Sequence, residues 1–166
     1  MSMRRRRQGT DLERHDADES VSASVVVGID GSDTSWDAFC WACGETRRLG
    51  GRTLAVFVDS SSGGASATAG AFSGAVIAYG TIQQSRMSKV EQLSHQVRAY
   101  GHDEGVDVAF VHTEGDRAKE LLRIANADHA GLIVVGRSTK ARHHLAGSLG
   151  RRLIGRRGAP VVVVVP

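Results

Sequence analysis

From Val25 onward the chain alternates between two hydrophobic periods. Residues 25–30, 53–59, 106–112, 131–136 and 159–165 are short, apolar runs rich in β-branched side chains. Their near-continuous apolarity, rather than strict alternation, is the pattern of strands buried on both faces of a parallel sheet. Between the runs, apolar positions recur at helical spacing. Trp36, Phe39, Cys40 and Cys43 form one stripe, and Met87, Val90, Leu93, Val97 and Tyr100 a longer one. Ala118, Leu121, Leu122 and Ala125 form a third, and Leu149, Leu153 and Ile154 a short fourth. Strand then helix, repeated with right-handed crossovers, predicts an α/β fold, a doubly wound parallel sheet with helices on both faces.

Two segments fall outside this rhythm. Residues 1–24 combine an arginine block at 4–7 with an acidic, polar stretch that has almost nothing to bury, and read as a disordered arm. No apolar stretch follows the arginines, so the block does not read as a secretory or twin-arginine leader. Residues 60–80 hold five glycines among serines and alanines and show no clear period. That length suits a mobile lid or a disordered insert within a domain spanning 25–166.

Composition bounds the rest. The 166 residues, 41% hydrophobic and 23% charged, suit one soluble domain. The longest apolar run, residues 159–166, is far short of the roughly 20 residues of a membrane helix. Two cysteines cannot staple a secreted mini-protein, which favours a reducing compartment. Collagen, coiled coil and disulfide scaffold are excluded. The net charge of +3 is unevenly spread: residues 25–135 carry nine basic and thirteen acidic groups, while residues 136–166 carry seven basic groups and no acid. The C-terminal segment should therefore attract an anion.

Candidate chemistry sits where strands end and helices begin, because ligands of open α/β sheets bind beyond the carboxyl ends of the strands. The first such place is Gly28-Ile29-Asp30-Gly31-Ser32. Gly31 permits a tight turn and Ser32 or Asp33 can cap the next helix. Asp30 then either receives a ribose hydroxyl or an amine, or only stabilises the helix start. The second runs from Gly136 and Arg137 to Gly147 and Ser148, with Lys140, Arg142, His143 and His144 between them. It reads as an anion site at a helix start or as a solvated basic loop. The third, Val56-Phe57-Val58-Asp59, offers backbone groups to a base edge. No Gly-x4-Gly-Lys-Ser/Thr loop and no Gly-x-Gly-x-x-Gly fingerprint is present. Cys40 and Cys43 match C-x-x-C inside a helix, which suits core thiols rather than a redox pair. His143 and His144 are adjacent and lack further ligands, which disfavours a metal site.

The first strand with Asp30-Gly31-Ser32, the run 131–136, the Gly147-Ser148 pair and the closing valine strand together resemble the universal stress protein family, over residues 22–166. The resemblance implies a Rossmann-like, five-stranded parallel sheet in the order 3-2-1-4-5, which brings Asp30 opposite Gly136. It also implies a cytoplasmic homodimer paired through the last strand, whose edge would otherwise lie open. Many members bind ATP through Gly-x2-Gly-x9-Gly-Ser/Thr after the fourth strand. Gly136, Gly147 and Ser148 match that pattern, but Thr139 replaces its second glycine and the spacer to Gly147 is two residues short. Asp30 and Val58 match the positions that hold ribose and adenine.

The expected function is a stress-response protein that binds ATP, AMP or another adenine nucleotide, with or without magnesium, and acts by binding. Asp30 is assigned to the ribose, Val58 to the base, and Gly136, Arg137, Gly147 and Ser148 to the phosphates. The alternative is a dimeric interaction module that has lost the nucleotide and turns its basic loop on a protein or other anionic partner. A slow ATPase has less support, since no residue stands out as base or nucleophile. Nucleic-acid binding is disfavoured because no aromatics interleave with the basic groups.

Overall fold

A computed structural model describes residues 23–60, 73–137, 148–154 and 160–166. In chain order the elements are β1 (Ser24–Gly28), α1 (Asp33–Leu49), β2 (Arg52–Asp59), α2 (Ser73–Glu104), β3 (Val108–Glu114), α3 (Arg117–Ala127), β4 (Leu132–Gly136), α4 (Ser148–Ile154) and β5 (Val161–Val165). The five strands form one parallel sheet in the order β3-β2-β1-β4-β5. The chain winds outward from β1 to β3, then returns to place β4 against the other side of β1. The fold is therefore doubly wound, with its switch point between β1 and β4.

Period-two alternation divides the buried side chains between the two faces. Val25, Val27, Ala55 and Val134 pack with Ala38, Phe39, Ala42, Cys43, Leu93 and Val97, so α1 and α2 cover one face. Val26, Leu54, Val56 and Ile133 pack with Leu121, Leu122, Ala125 and Leu153, so α3 and α4 cover the other. Both faces of the central strands are thus dry, as their unbroken apolar runs require.

The helices differ from their sequence stripes in informative ways. In α1 the buried face is Ser35, Ala38, Phe39, Ala42, Cys43 and Thr46, while Cys40 is exposed. Cys40 is therefore no core thiol. The small Ala38 and Ala42 let α1 lie close to the sheet, which leaves Trp36 half-buried and Cys40 outside. Burial pushes the Cys43 thiol up to about 11, outweighing its hydrogen bond with Thr53, so that it stays protonated at neutral pH. Phe39 meets Trp36 edge-on at 5.4 Å and Tyr100 at 5.3 Å, which stitches α1 to α2. Leu93 and Val97 are buried as their stripe predicts, whereas Met87 and Ile154 lie exposed near helix positions that the sheet does not reach.

The long helix also begins earlier than its stripe. Residues 73–80, part of the glycine-, serine- and alanine-rich stretch, belong to α2. Residues 61–72 of that stretch, and residues 1–22 of the arm, lie outside the described residues. β3 opens at Val108 rather than Val106, because the Val106 N–H turns back to the Gly101 carbonyl at 2.8 Å and caps the end of α2. No helix among the described residues is long and apolar enough to cross a membrane.

Phe39 is fully buried at the centre of the α1–α2 layer. Phe39→Ala should cost about 3–5 kcal/mol in chemical denaturation, a cavity effect with the denaturant slope unchanged. A loss below about 1 kcal/mol would show that the layer is not packed around this ring.

Candidate functional site

The turn from β1 into α1 is built by three side chains and a glycine. Gly31 has φ +84°, a conformation that a Cβ would oppose. Ser32, extended at φ −80° and ψ 157°, caps α1, its Oγ accepting from the Ser35 N–H at 3.4 Å. Ser35 Oγ in turn donates to the Ser32 carbonyl at 2.8 Å and accepts from the Asp30 N–H at 3.3 Å. The Asp30 Oδ1 receives the Ser32 N–H at 3.0 Å and the Ser32 hydroxyl at 2.6 Å. Partial burial raises the Asp30 carboxyl. The bonds from Ser32 and Ser35, with the Arg117 charge, outweigh it and hold the group below its ordinary value of 3.8. Asp30 is therefore an anion at neutral pH. Both bonds that Ser32 gives it fall on Oδ1.

Beside this turn, β4 ends at Gly136. A Cβ there would overlap the Thr34 carbonyl and sit 2.9 Å from the Ser35 nitrogen. The glycine is thus required by the close approach of α1, whatever else it does. The Arg137 N–H is spent on the Val165 carbonyl at 2.7 Å, which leaves its exposed side chain to act at the sheet edge. Asp30 does not lie opposite Gly136. The β1–β4 ladder pairs Gly28 with Val135, and Asp30 sits two residues beyond, in the turn.

These groups surround one cleft of about 470 Å³ at the carboxyl end of the sheet, within the usual range for small-molecule sites. Its apolar floor comes from Val56, Val58, Leu121 and Val135. Its rim carries the Asp30–Ser32 turn on one side and Gly136, Arg137, Leu149 and Gly150 on the other. Of the residues assigned from the sequence, Asp30, Val58, Gly136 and Arg137 line this one cleft. Ser148 opens α4, and the two residues that follow it line the cleft. Gly147, with Thr139, Lys140, Arg142, His143 and His144, lies outside the described residues.

Two cationic residues of the cleft, Lys89 and Arg117, are absent from the sequence-derived set. Arg117 had a signal. β3 ends at Glu114 and is followed by Gly115 and the capping Asp116, a glycine and polar cap like Gly31 and Ser32 after β1, with Asp116 accepting from the Lys119 N–H at 3.1 Å. Arg117 is the first residue of the helix so capped. Lys89 had a weaker one, standing one helical turn before the buried Leu93 and so on the inward stripe of α2. Among the described residues no cluster of three or more histidine, cysteine or acidic side chains could hold a metal ion.

Comparison with known proteins gives one consistent result. The model of the family described as "Universal stress protein family" matches residues 23–165. No curated protein matches the sequence. Among solved structures, the chain is similar to the universal stress protein UspA from Lactobacillus plantarum, with TM-score 0.68 and 16% identity, covering 87% of this chain and 98% of that one. It is similar to a universal stress protein from Archaeoglobus fulgidus in complex with dAMP, with TM-score 0.58 and 19% identity over 88% of this chain and 99% of that one. A universal stress protein family protein from Arabidopsis thaliana with AMP bound gives TM-score 0.59 and 15% identity over 86% and 90%. At these identities the likeness concerns the fold.

Gly136→Ala should destabilise the ligand-free protein by about 1–3 kcal/mol, the range for forcing an added methyl into packed backbone. Thermal or urea melts without ligand measure this directly. An unchanged midpoint would mean that α1 does not press on β4, and would return Gly136 to a ligand role alone.

Proposed function

The chain belongs to the universal stress protein family, and on that premise we propose that it binds an adenine nucleotide in the cleft and acts by binding. The observation that carries this reading is the meeting of an ionised Asp30, the apolar Val58 and the cationic Arg137 in one cleft. The dAMP and AMP complexes of two structural neighbours support the same ligand class.

In this reading the ribose hydroxyls donate to Asp30 Oδ2, a bond strengthened by the negative charge of its acceptor. The base lies on the apolar floor against Val58 and Val56, where backbone groups at the strand ends can meet its polar edge. The phosphate lies toward Arg137 and the start of α4, with Gly147 and Ser148 as further contacts. Thr139 and the shortened spacer leave fewer glycine N–H groups for a long phosphate chain, so cationic side chains take a larger share. Magnesium, when ATP is the ligand, would neutralise phosphate charge and add no protein-borne step.

The reading also includes a homodimer through β5. Supporting it, β5 is an edge strand of five consecutive valines, with Val161 66% exposed. Such an edge pairs with a second copy more readily than it stays in water.

Two measurements test these statements. Calorimetric titration of nucleotide-free protein with AMP and ATP should give saturable binding, and Asp30→Ala should weaken it about tenfold or more, the loss of a charge-assisted hydrogen bond. No heat and no thermal stabilisation up to millimolar nucleotide would remove the nucleotide and favour the interaction module. Sedimentation velocity should show a dimer across the micromolar range, and a monomer throughout would remove the β5 pairing.

A further inference from the structure

The charge of the cleft is set from outside the residues that the sequence pattern supplies. Among the described residues its lining contains one carboxylate, Asp30, against three cations, Lys89, Arg117 and Arg137. Elsewhere on the surface five arginines are matched, while among the described residues Arg86, Arg98, Lys119 and Arg151 enter no salt bridge. Arg47 pairs with Glu104, Arg48 with Glu45, Arg52 with Asp128, Arg123 with Glu120 and Arg152 with Asp116. Among the described residues, none of the three cleft cations lies within salt-bridge distance of a carboxylate.

Asp116, the adjacent carboxylate, accepts the Lys119 N–H on Oδ1 and Arg152 on Oδ2 at 2.8 Å. It makes no salt bridge with Arg117, whose charge is felt by Asp30. Arg117 further stands in the first turn of α3, where the helix dipole adds positive potential.

Lys89 is held from the opposite face of the sheet. Its ammonium lies 5.9 Å from the centroid of the Phe57 ring. Its Cε lies 3.3 Å from where a Cβ on Gly31 would project, so the missing side chain of Gly31 makes room for the lysine stem. Gly31 thus serves both the turn and the approach of Lys89. The ammonium is placed beside the turn that carries Asp30.

Resting on the nucleotide reading, we propose that Lys89 and Arg117 are charge-selecting residues that make the cleft specific for a nucleoside carrying a phosphate dianion over the same nucleoside without one. Among the described lining residues, three cations and one carboxylate leave an excess of two positive charges, which a phosphate monoester dianion balances and a neutral nucleoside does not. The two side chains come from α2 and α3, which cover opposite faces of the sheet, so they reach the ligand from two sides. This arrangement replaces backbone donors with side-chain cations, and it places the discrimination in the domain body.

The test is a titration of the full chain with adenosine and with AMP, repeated on Lys89→Gln, Arg117→Gln and the double variant. Both side chains are exposed and glutamine keeps most of their length, so folding should be unaffected, as far-UV circular dichroism and melting will show. Wild type should bind AMP at least tenfold more tightly than adenosine, and the preference should weaken as salt rises. Each single variant should lower AMP affinity about tenfold and leave adenosine affinity within twofold, the double variant nearly erasing the preference. If the variants keep the wild-type ratio of AMP to adenosine affinity, the charge-selection proposal falls while nucleotide binding stands. If wild type binds AMP and adenosine equally, the proposal falls in the same way. If it binds no nucleotide at all, both readings fall together.

Discussion

Burial of β1 on both faces constrains the rest of the molecule. Val25, Val26 and Val27 are all fully buried, alternately toward the α1–α2 layer and toward the α3–α4 layer. No polar side chain can be accommodated along that stretch without an internal partner. Polarity can begin only where the strand leaves the sandwich, and it does so abruptly at Asp30, Gly31 and Ser32. Because β4 lies against β1, the ends of both strands open on the same side, and the crossovers leaving them diverge to opposite faces. The cleft is the gap left by that divergence. Its position follows from topology and its chemistry from the few residues after each strand.

The contact between α1 and the end of β4 sets the shape of that gap. At Gly136 the α1 backbone comes so close that no side chain fits. Gly150, on the same rim, is confined less severely, since a Cβ there would sit 3.2 Å from the Val164 side chain. Glycines that match a ligand motif can therefore be demanded by packing, and their presence alone says little about phosphate. Asp30 is different. Its turn requires an acceptor for the Ser32 N–H and hydroxyl, yet only one carboxylate oxygen is needed to satisfy both. The negative charge maintained on the carboxylate exceeds what those two bonds require.

The sheet order was legible because the valine-rich runs could only be two-faced strands, and the family resemblance then fixed which run adjoins which. Asp30, Val58, Gly136 and Arg137 were legible for a related reason: each lies within two residues of a strand end, where sequence and space coincide. Boundaries were less clear. Val106 continues the apolar run of β3 but caps α2 instead, since a single N–H to Gly101 decides between the two. Cys40 looked buried because an apolar stripe does not show how closely a helix approaches its sheet. In α1 the alanines set that distance and push Cys40 to the rim. Lys89 was the hardest, since its role depends on how α2 packs over Phe57 and Gly31, two residues remote from it in sequence.

That remoteness bears on how a site can change its ligand without changing its fold. A glycine loop holds phosphate through backbone N–H groups, so altering one glycine alters both the local conformation and the donors together. Side chains reaching in from α2 and α3 are free of that coupling. The stripe that buries Leu93 and Val97 also orients Lys89, and the cap that starts α3 also orients Arg117. Neither position contributes to the core, so either can vary in charge while the packing beside it stays intact. The ion pair between Arg152 and Asp116 adds a further link, tying α4 to the cap that precedes Arg117. The cleft's charge is therefore carried by residues that the fold positions but does not need. A sequence with an altered phosphate loop can keep an anion site by this route.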